Sequence, residues 1–143
     1  MGSEINLQSI IVTPLSILDS AGGQVLHGIK TTDAGYAGFG EAYFSSIDSG
    51  ATKGWKKHTK MVMNLLVPVG RVRFVFFENE YAAYRVEEIG VDNYSRITVP
   101  PGIWFAFKGL SDSKSIILNV SSIIHDDSES DRKELSEIYY DWK

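Results

Sequence analysis

His58 stands in the densest positive stretch of the chain, GATKGWKKHTK at residues 50–60, with Lys56, Lys57 and Lys60 around it. An imidazole titrates near neutrality, so it can take a proton from a carbon next to a ketone. The enolate that forms needs positive charge or hydrogen-bond donors close by. Lys56, Lys57 and Lys60 are local cations for that purpose, and Asn64 is a neutral donor. The same lysines suit a diphosphate. Close cations also lower a histidine's pKa and keep it neutral and basic. The plainer reading is a solvated strand edge, and the residues alone leave both open.

Other chemistries are poorly provided for. The chain has no cysteine, so a thiolate nucleophile, a thiolate metal site and a disulfide scaffold are excluded. No GxSxG elbow and no phosphate-cradling GxGxxG or GxxxxGK[ST] loop occurs. DAGYAGFG, residues 33–40, has the wrong spacing and reads as a loop. The three histidines, His27, His58 and His125, form no HxH pair, so no metal site is expected. No other cofactor is expected either. His125 reads as a brace for the loop before DDSES.

The elements that must position His58 read as strands. SIIVTPLSIL, QVLHGIK, GEAYFSSI, MVMNLLVPV, RVRFVFFEN, YAAYRVEEI, SRITVPPGI, WFAFKGL and SIILNVSSII are short runs rich in Val, Ile, Phe and Tyr. Gly, Asp, Asn or Ser bounds most of them. Such a series predicts an all-β domain, a sandwich or jelly-roll barrel, over residues 1–143. Gly70 predicts a tight strand connection, and Pro100-Pro101-Gly102 a strand boundary. Only DDSESDRKELSEIYYDW suits a helix start, so a short C-terminal helix or tail is expected. Alternation from His58 puts Lys60 and Asn64 on its face and Met61, Met63, Leu65 and Val67 on the other. In RVRFVFF it separates Val72, Phe74 and Phe76 from Arg71, Arg73, Val75 and Phe77.

Bulk composition narrows the function. With 143 residues, 43% hydrophobic and 12% aromatic, the chain can bury a core without staples. A net charge of −4 gives no long basic face, so nucleic acid is not an expected partner. No run reaches the roughly 18 apolar residues of a membrane helix. MGSEINLQS lacks a positive region followed by an apolar run. A cytoplasmic location with no membrane partner is the expectation.

The order of motifs resembles a known family. GEAYFSSIDSGATKGWKKHTKMVMNLLVPVGRVRFVFFEN is followed by ITVPPGIWFAFKGLSD, SIILNVSSIIHDD and EIYYDW. Together they look like the cupin-type nucleotide-sugar epimerases, relatives of dTDP-4-dehydrorhamnose 3,5-epimerase, over most of residues 36–143. The resemblance implies a cupin jelly-roll and a metal-independent isomerase. It implies a nucleotide-diphosphate-sugar substrate and a homodimer in which IIVTPLSIL helps complete the neighbour's sheet or pocket. Surface-polysaccharide synthesis, such as that of O-antigen, is the implied setting.

Site residues follow from the same resemblance. His58 matches the general base, and the carboxylate that holds it falls near Asp131, with Asp127 and Asp141 as alternatives. Lys60 joins them as a catalytic cation. Lys56, Lys60 and Arg73 are the implied diphosphate ligands, and Trp55 and Trp104 the implied stacking platforms, although Trp104 also reads as core. Asn64 and Asn119 complete the implied binding set. The family's acidic tyrosine aligns with Leu118, and Phe105 replaces a second histidine of the VPPG segment. A pocket without that acid implies inversion of one centre, C3, with water, Tyr139 or Tyr140 returning the proton. The alternatives are 3,4-ketoisomerisation of the same substrate class and a non-catalytic sugar-nucleotide-binding cupin.

Overall fold

The computed structural model describes residues 6–143. The strands are β1 Ile11–Pro14, β2 Ile17–Ser20, β3 Gly23–Leu26, β4 Glu41–Ile47, β5 Thr52–His58 and β6 Met63–Val69. They continue with β7 Arg71–Glu78, β8 Ala83–Gly90, β9 Ser95–Val99, β10 Trp104–Gly109, β11 Ser115–Ser121 and β12 Ser130–Arg132. Ten of them build two antiparallel five-stranded sheets, ordered β1-β9-β6-β11-β4 and β12-β5-β10-β7-β8, and β2 and β3 form a hairpin. This is the expected all-β jelly roll.

Strand alternation fills the space between the sheets. Met63, Leu65 and Val67 of β6 and Val72, Phe74 and Phe76 of β7 belong to one buried cluster with Ile97, Phe105 and Ile117. Residues one position out of phase on the second sheet, Trp55, Val75, Phe77, Trp104 and Ala106, form a second cluster on its outer face. That cluster would be open to water without the chain's last segment, whose Leu135, Ile138, Tyr140 and Trp142 pack over it. The C-terminal segment is therefore a strap rather than an α-helix. Two single 3₁₀ turns, Asp127–Glu129 and Leu135–Glu137, flank β12, which pairs with β5 as the sheet's edge. Its apolar residues serve one flat aromatic face, and β12 finds its backbone partners on β5.

Two local features place β5. Gly54 lies at φ +150°, and a Cβ there would come within 2.3 Å of the Ala106 Cβ. Only glycine lets β5 and β10 approach so closely. A register shift next to it, where Phe105 faces Lys56 and Ala106 faces Gly54, bulges the strand at Trp55. After the bulge Lys56 and His58 face inward, while Trp55 and Lys57 belong to the outer face.

On the first sheet, Arg96 is fully buried on the outer face. Its guanidinium donates to the Gly28 carbonyl at 2.8 Å, the Ala34 carbonyl at 3.2 Å and Asn64 Oδ1 at 3.1 Å, and it approaches Asp33 at 3.4 Å. It ties the segment before β4 to the sheet. β1, expected to reach a neighbour, pairs with β9 of its own chain. Arg96→Leu should leave these acceptors buried without their donor and cost roughly 3 kcal/mol, because Asp33 keeps some solvent. Urea unfolding measures it; a change below about 1 kcal/mol would show that the guanidinium does not hold the segment.

Candidate active site

His58 ends β5, and its ring is 3% exposed. Three contacts fix it. Its carbonyl accepts from the Gly102 N–H at 2.7 Å, which docks the VPPG turn on the strand end. The Phe105 ring stacks on the imidazole with centroids 5.9 Å apart and planes at 17°. Nδ1 is bonded to a carboxylate oxygen of Glu129, itself 4% exposed.

Glu129 does more than meet the imidazole. Its second oxygen accepts from the backbone N–H groups of Thr59, Lys60 and Met61 at 3.2, 3.0 and 3.1 Å. Thr59 answers through its hydroxyl and its N–H, both donated to the Glu129 carbonyl, at 2.6 and 2.8 Å. One carboxylate thus closes the bend after β5 and orients the histidine. With Nδ1 committed to Glu129 as donor, Nε2 is the basic nitrogen left for the cavity.

The electrostatics suit a base. Burial lowers the His58 pKa below its ordinary 6.5; the Glu129 carboxylate works against this, and Lys56 adds to it. Burial alone would raise Glu129, but the hydrogen bonds from His58, Lys60 and Met61 bring it below the ordinary carboxylate value. Burial, then repulsion from Arg132, lowers Lys56. A neutral imidazole beside an ionised carboxylate is the resting state at neutral pH.

A cavity of about 490 Å³ opens beside this pair. Its inner walls are Met63, Leu65, Phe74, Phe105, Phe107 and Ile117; Lys53, Lys56, Arg132 and Lys133 bring positive charge to its border, which outweighs the negative charge of Glu134 and Glu137. On the first sheet, Tyr43, Ser45 and Asn119 are its polar groups, and Asn119 Nδ2 donates to the Tyr43 oxygen at 3.0 Å. An apolar chamber with a few convergent polar groups and a cationic border fits a sugar carrying a phosphorylated group.

The structure brings together only part of the expected set. His58, Lys56 and Asn119 line the cavity. Asp131 does not hold His58: its side chain is exposed and lies 3.9 Å from Lys57, because alternation along β12 turns it away from the residue that faces His58. Lys60 is exposed on the bend and meets Glu129 only through its N–H. Asn64 lies on the outer side of β6, where it bonds Gly35, Arg96 and Thr98. Alternation from His58 fails there because the chain bends between β5 and β6 and changes sheet. Arg73 is likewise on an outer face, paired with Glu88 at 2.7 Å.

The tryptophans are core. Trp104 is buried in the outer cluster with Lys57 and Lys133 over its ring, and its indole N–H has no partner among the described residues. Trp55 borders the cavity, yet its ring is 1% exposed and its N–H donates to the Ile138 carbonyl at 3.1 Å. Neither offers an open face for stacking. Tyr139 is exposed and Tyr140 packs against Trp142, so neither reaches the cavity. Leu118 points outward; the inward residue of β11 at this level is Asn119, and its cross-strand neighbour is Tyr43. His125 braces its loop as expected, through Asp127 at 2.8 Å and Glu41 at 2.9 Å.

Sequence reasoning missed Glu129 and Tyr43. Glu129 sits among several acids in DDSESD, with nothing local to single it out. Tyr43 carried a readable signal, since alternation in EAYFSSI puts it opposite Phe44.

No family model and no curated protein sequence matches the chain. Solved structures do. A dTDP sugar isomerase from Desulfovibrio desulfuricans G20 is 28% identical, with a TM-score of 0.88 over 94% of this chain and 91% of its own. A sugar 3,4-ketoisomerase from Thermoanaerobacterium thermosaccharolyticum, in complex with TDP, is 16% identical, with a TM-score of 0.75 over 93% and 94%. A dTDP-4-dehydrorhamnose 3,5-epimerase from Sulfolobus tokodaii is 18% identical, with a TM-score of 0.78 over 94% and 83%. The structural likeness is to nucleotide-sugar isomerases and epimerases of the cupin fold, as the motif order implied.

The depressed His58 pKa has a pH consequence. The unfolded chain takes up a proton near 6.5 that the folded chain resists, so His58 favours folding above 6.5 and its contribution falls as pH drops below it. Activity that needs neutral His58 should have an acid limb below 6.5, and Lys56→Gln should move that limb upward. A pH–rate profile measures both; a limb above 6.5 in the unaltered protein would contradict the assigned state.

Proposed function

We propose that this chain is an enzyme that inverts C3 of a nucleotide-linked 4-keto-6-deoxyhexose by removing the proton next to the ketone. The observation that carries the reading is the buried His58–Glu129 pair on the wall of an apolar cavity with cations around it. The structural neighbours are named as nucleotide-sugar isomerases and epimerases, which supports an enzyme of this class.

His58 Nε2 takes the C3 proton, and Glu129 steadies the imidazolium that forms. The electron pair of the C3–H bond moves toward C4, and negative charge gathers on O4. Lys56, on the same strand and facing the cavity as His58 does, is the cation for that charge. Lys53 and Arg132 take over the diphosphate role first given to Lys60 and Arg73. The cavity's apolar walls suit a 6-deoxy sugar, whose methyl group has nothing to hydrogen-bond. His58→Asn and Glu129→Gln should each lower turnover, the first by about 10²–10⁴-fold. Surface-polysaccharide sugar synthesis in the cytoplasm is the setting this reading implies.

A second reading is 3,4-ketoisomerisation. It is favoured by length: the 3,4-ketoisomerase structure is matched over 94% of its own chain, against 83% for the 3,5-epimerase. It begins with the same proton removal. Incubation of 4-keto-6-deoxyhexose nucleotides in heavy water, then borohydride reduction, separates the outcomes. Deuterium at C3 with a C3 epimer is expected. A 3-keto product would establish the isomerase instead, and no exchange at C3 with dTDP-, CDP-, GDP- or UDP-linked sugars would sink both.

A homodimer is part of the same proposal. Leu18 and Val25 face each other across the β2–β3 hairpin and are about half exposed, at 49% and 51%. Light scattering at micromolar concentration should give twice the 15.9 kDa chain mass; a monomer there would count against the dimer.

A further inference from the structure

Inversion at a carbon needs two groups: one that removes a proton from one face, and one that supplies a proton to the other. His58 stands on the second sheet. Lys53 and Lys56 lie on the same strand, and Arg132 and Lys133 lie on or beside the strand paired with it. None of these cations stands on the wall opposite the base. That wall belongs to the first sheet, where Met63, Leu65 and Ile117 have no proton to give. Its polar members are Tyr43, Ser45 and Asn119. An amide and an aliphatic hydroxyl are far weaker acids than a phenol, whose ordinary pKa is about 10.

The hydrogen bonds around Tyr43 prepare it to donate. Asn119 Oδ1 accepts from the Asn64 N–H at 3.2 Å, which fixes the orientation of the amide. Its Nδ2 must then face Tyr43, and it donates to the phenol oxygen at 3.0 Å. The phenol oxygen is used as an acceptor, so its own O–H is left for a group inside the cavity. Once that proton has gone, the Asn119 N–H remains to hold the phenolate. Asn119 is buried at 3% exposure and cross-strand paired with Tyr43, so the donor does not drift.

From this geometry we infer that Tyr43 is the general acid that delivers a proton to C3 on the face opposite His58, with Asn119 as its positioning residue. The inference rests on the proton-abstraction reading given above. The step balances. His58 Nε2 removes the C3 proton, and the C–H pair becomes the C3–C4 double bond as the carbonyl pair moves to O4. The O4 pair then re-forms the carbonyl, and the C3–C4 π pair takes the proton of the Tyr43 hydroxyl. Imidazolium and phenolate are left, and solvent returns one proton and removes the other when the product leaves.

Tyr43→Phe tests it, because the variant keeps the ring and removes the acid. With a 4-keto-6-deoxyhexose nucleotide that the unaltered enzyme converts in heavy water, the variant should form C3 epimer at least about 100-fold more slowly. Deuterium should still enter C3 of the recovered starting sugar, because His58 is intact. His58→Asn should lose both epimer and exchange. Epimer formation by Tyr43→Phe at the unaltered rate would overturn the assignment while leaving His58 as base. Loss of exchange along with epimer would also overturn it, since Tyr43 would then serve binding or structure. No C3 exchange in the unaltered enzyme would instead strike the proton-abstraction reading itself. Asn119→Ala should slow epimer formation less than Tyr43→Phe does, with KM nearly unchanged; a raised KM with kcat intact would contradict a positioning role.

Discussion

One carboxylate holds the site together. Glu129 meets the His58 imidazole with one oxygen and three backbone N–H groups with the other. The bend at Thr59–Met61 redirects the chain from the second sheet to the first, so the same contact sets the corner of the barrel and the tautomer of the base. A buried carboxylate without such donors would be costly to keep ionised. Here donors surround it, and the negative charge is kept where it can steady an imidazolium.

Glu129 is delivered by the strap. β12 pairs with β5 through Ser130 and His58, and Trp55 and Lys133 exchange backbone hydrogen bonds at 2.9 and 3.0 Å. Beyond it, Leu135, Ile138, Tyr140 and Trp142 cover the aromatic outer face of the second sheet. Hydrophobic burial on the outer face of the sheet therefore pins the carboxylate beside His58. The bulge at Trp55 turns one tryptophan into that packing and swings Lys56 and His58 inward. Fold and site share these residues, which is why Trp55 and Trp104 belong to the structure rather than to ligand stacking.

The sequence made parts of this legible and hid others for physical reasons. Strand content was readable from β-branched and aromatic runs, and the faces of β7 came directly from alternation. His58 and Lys56 stand out by type in their strand, and Asn119 is reached only through the family resemblance. Asn64 was misplaced because a period of two does not survive a bend that changes sheet. Arg73 was assigned to the ligand although its own alternation set it apart from Phe74, and the structure gives it to Glu88. Glu129 was hidden because its partner lies 71 residues away and several neighbouring acids looked equivalent. Alternation separates Tyr43 from Phe44, but the importance of Tyr43 comes from its register with Asn119, a non-local fact.

The central claim is that Glu129 holds His58 as a neutral base with Nε2 turned to the cavity. Nitrogen-15 NMR of the histidine rings, titrated in the unaltered protein and in Glu129→Gln, tests it most directly. Expected for the unaltered protein is the Nδ1–H tautomer of His58, with a midpoint below 6.5, and for the variant a loss of that single tautomer. A midpoint above 6.5, or the same tautomer with and without the Glu129 carboxylate, would contradict it.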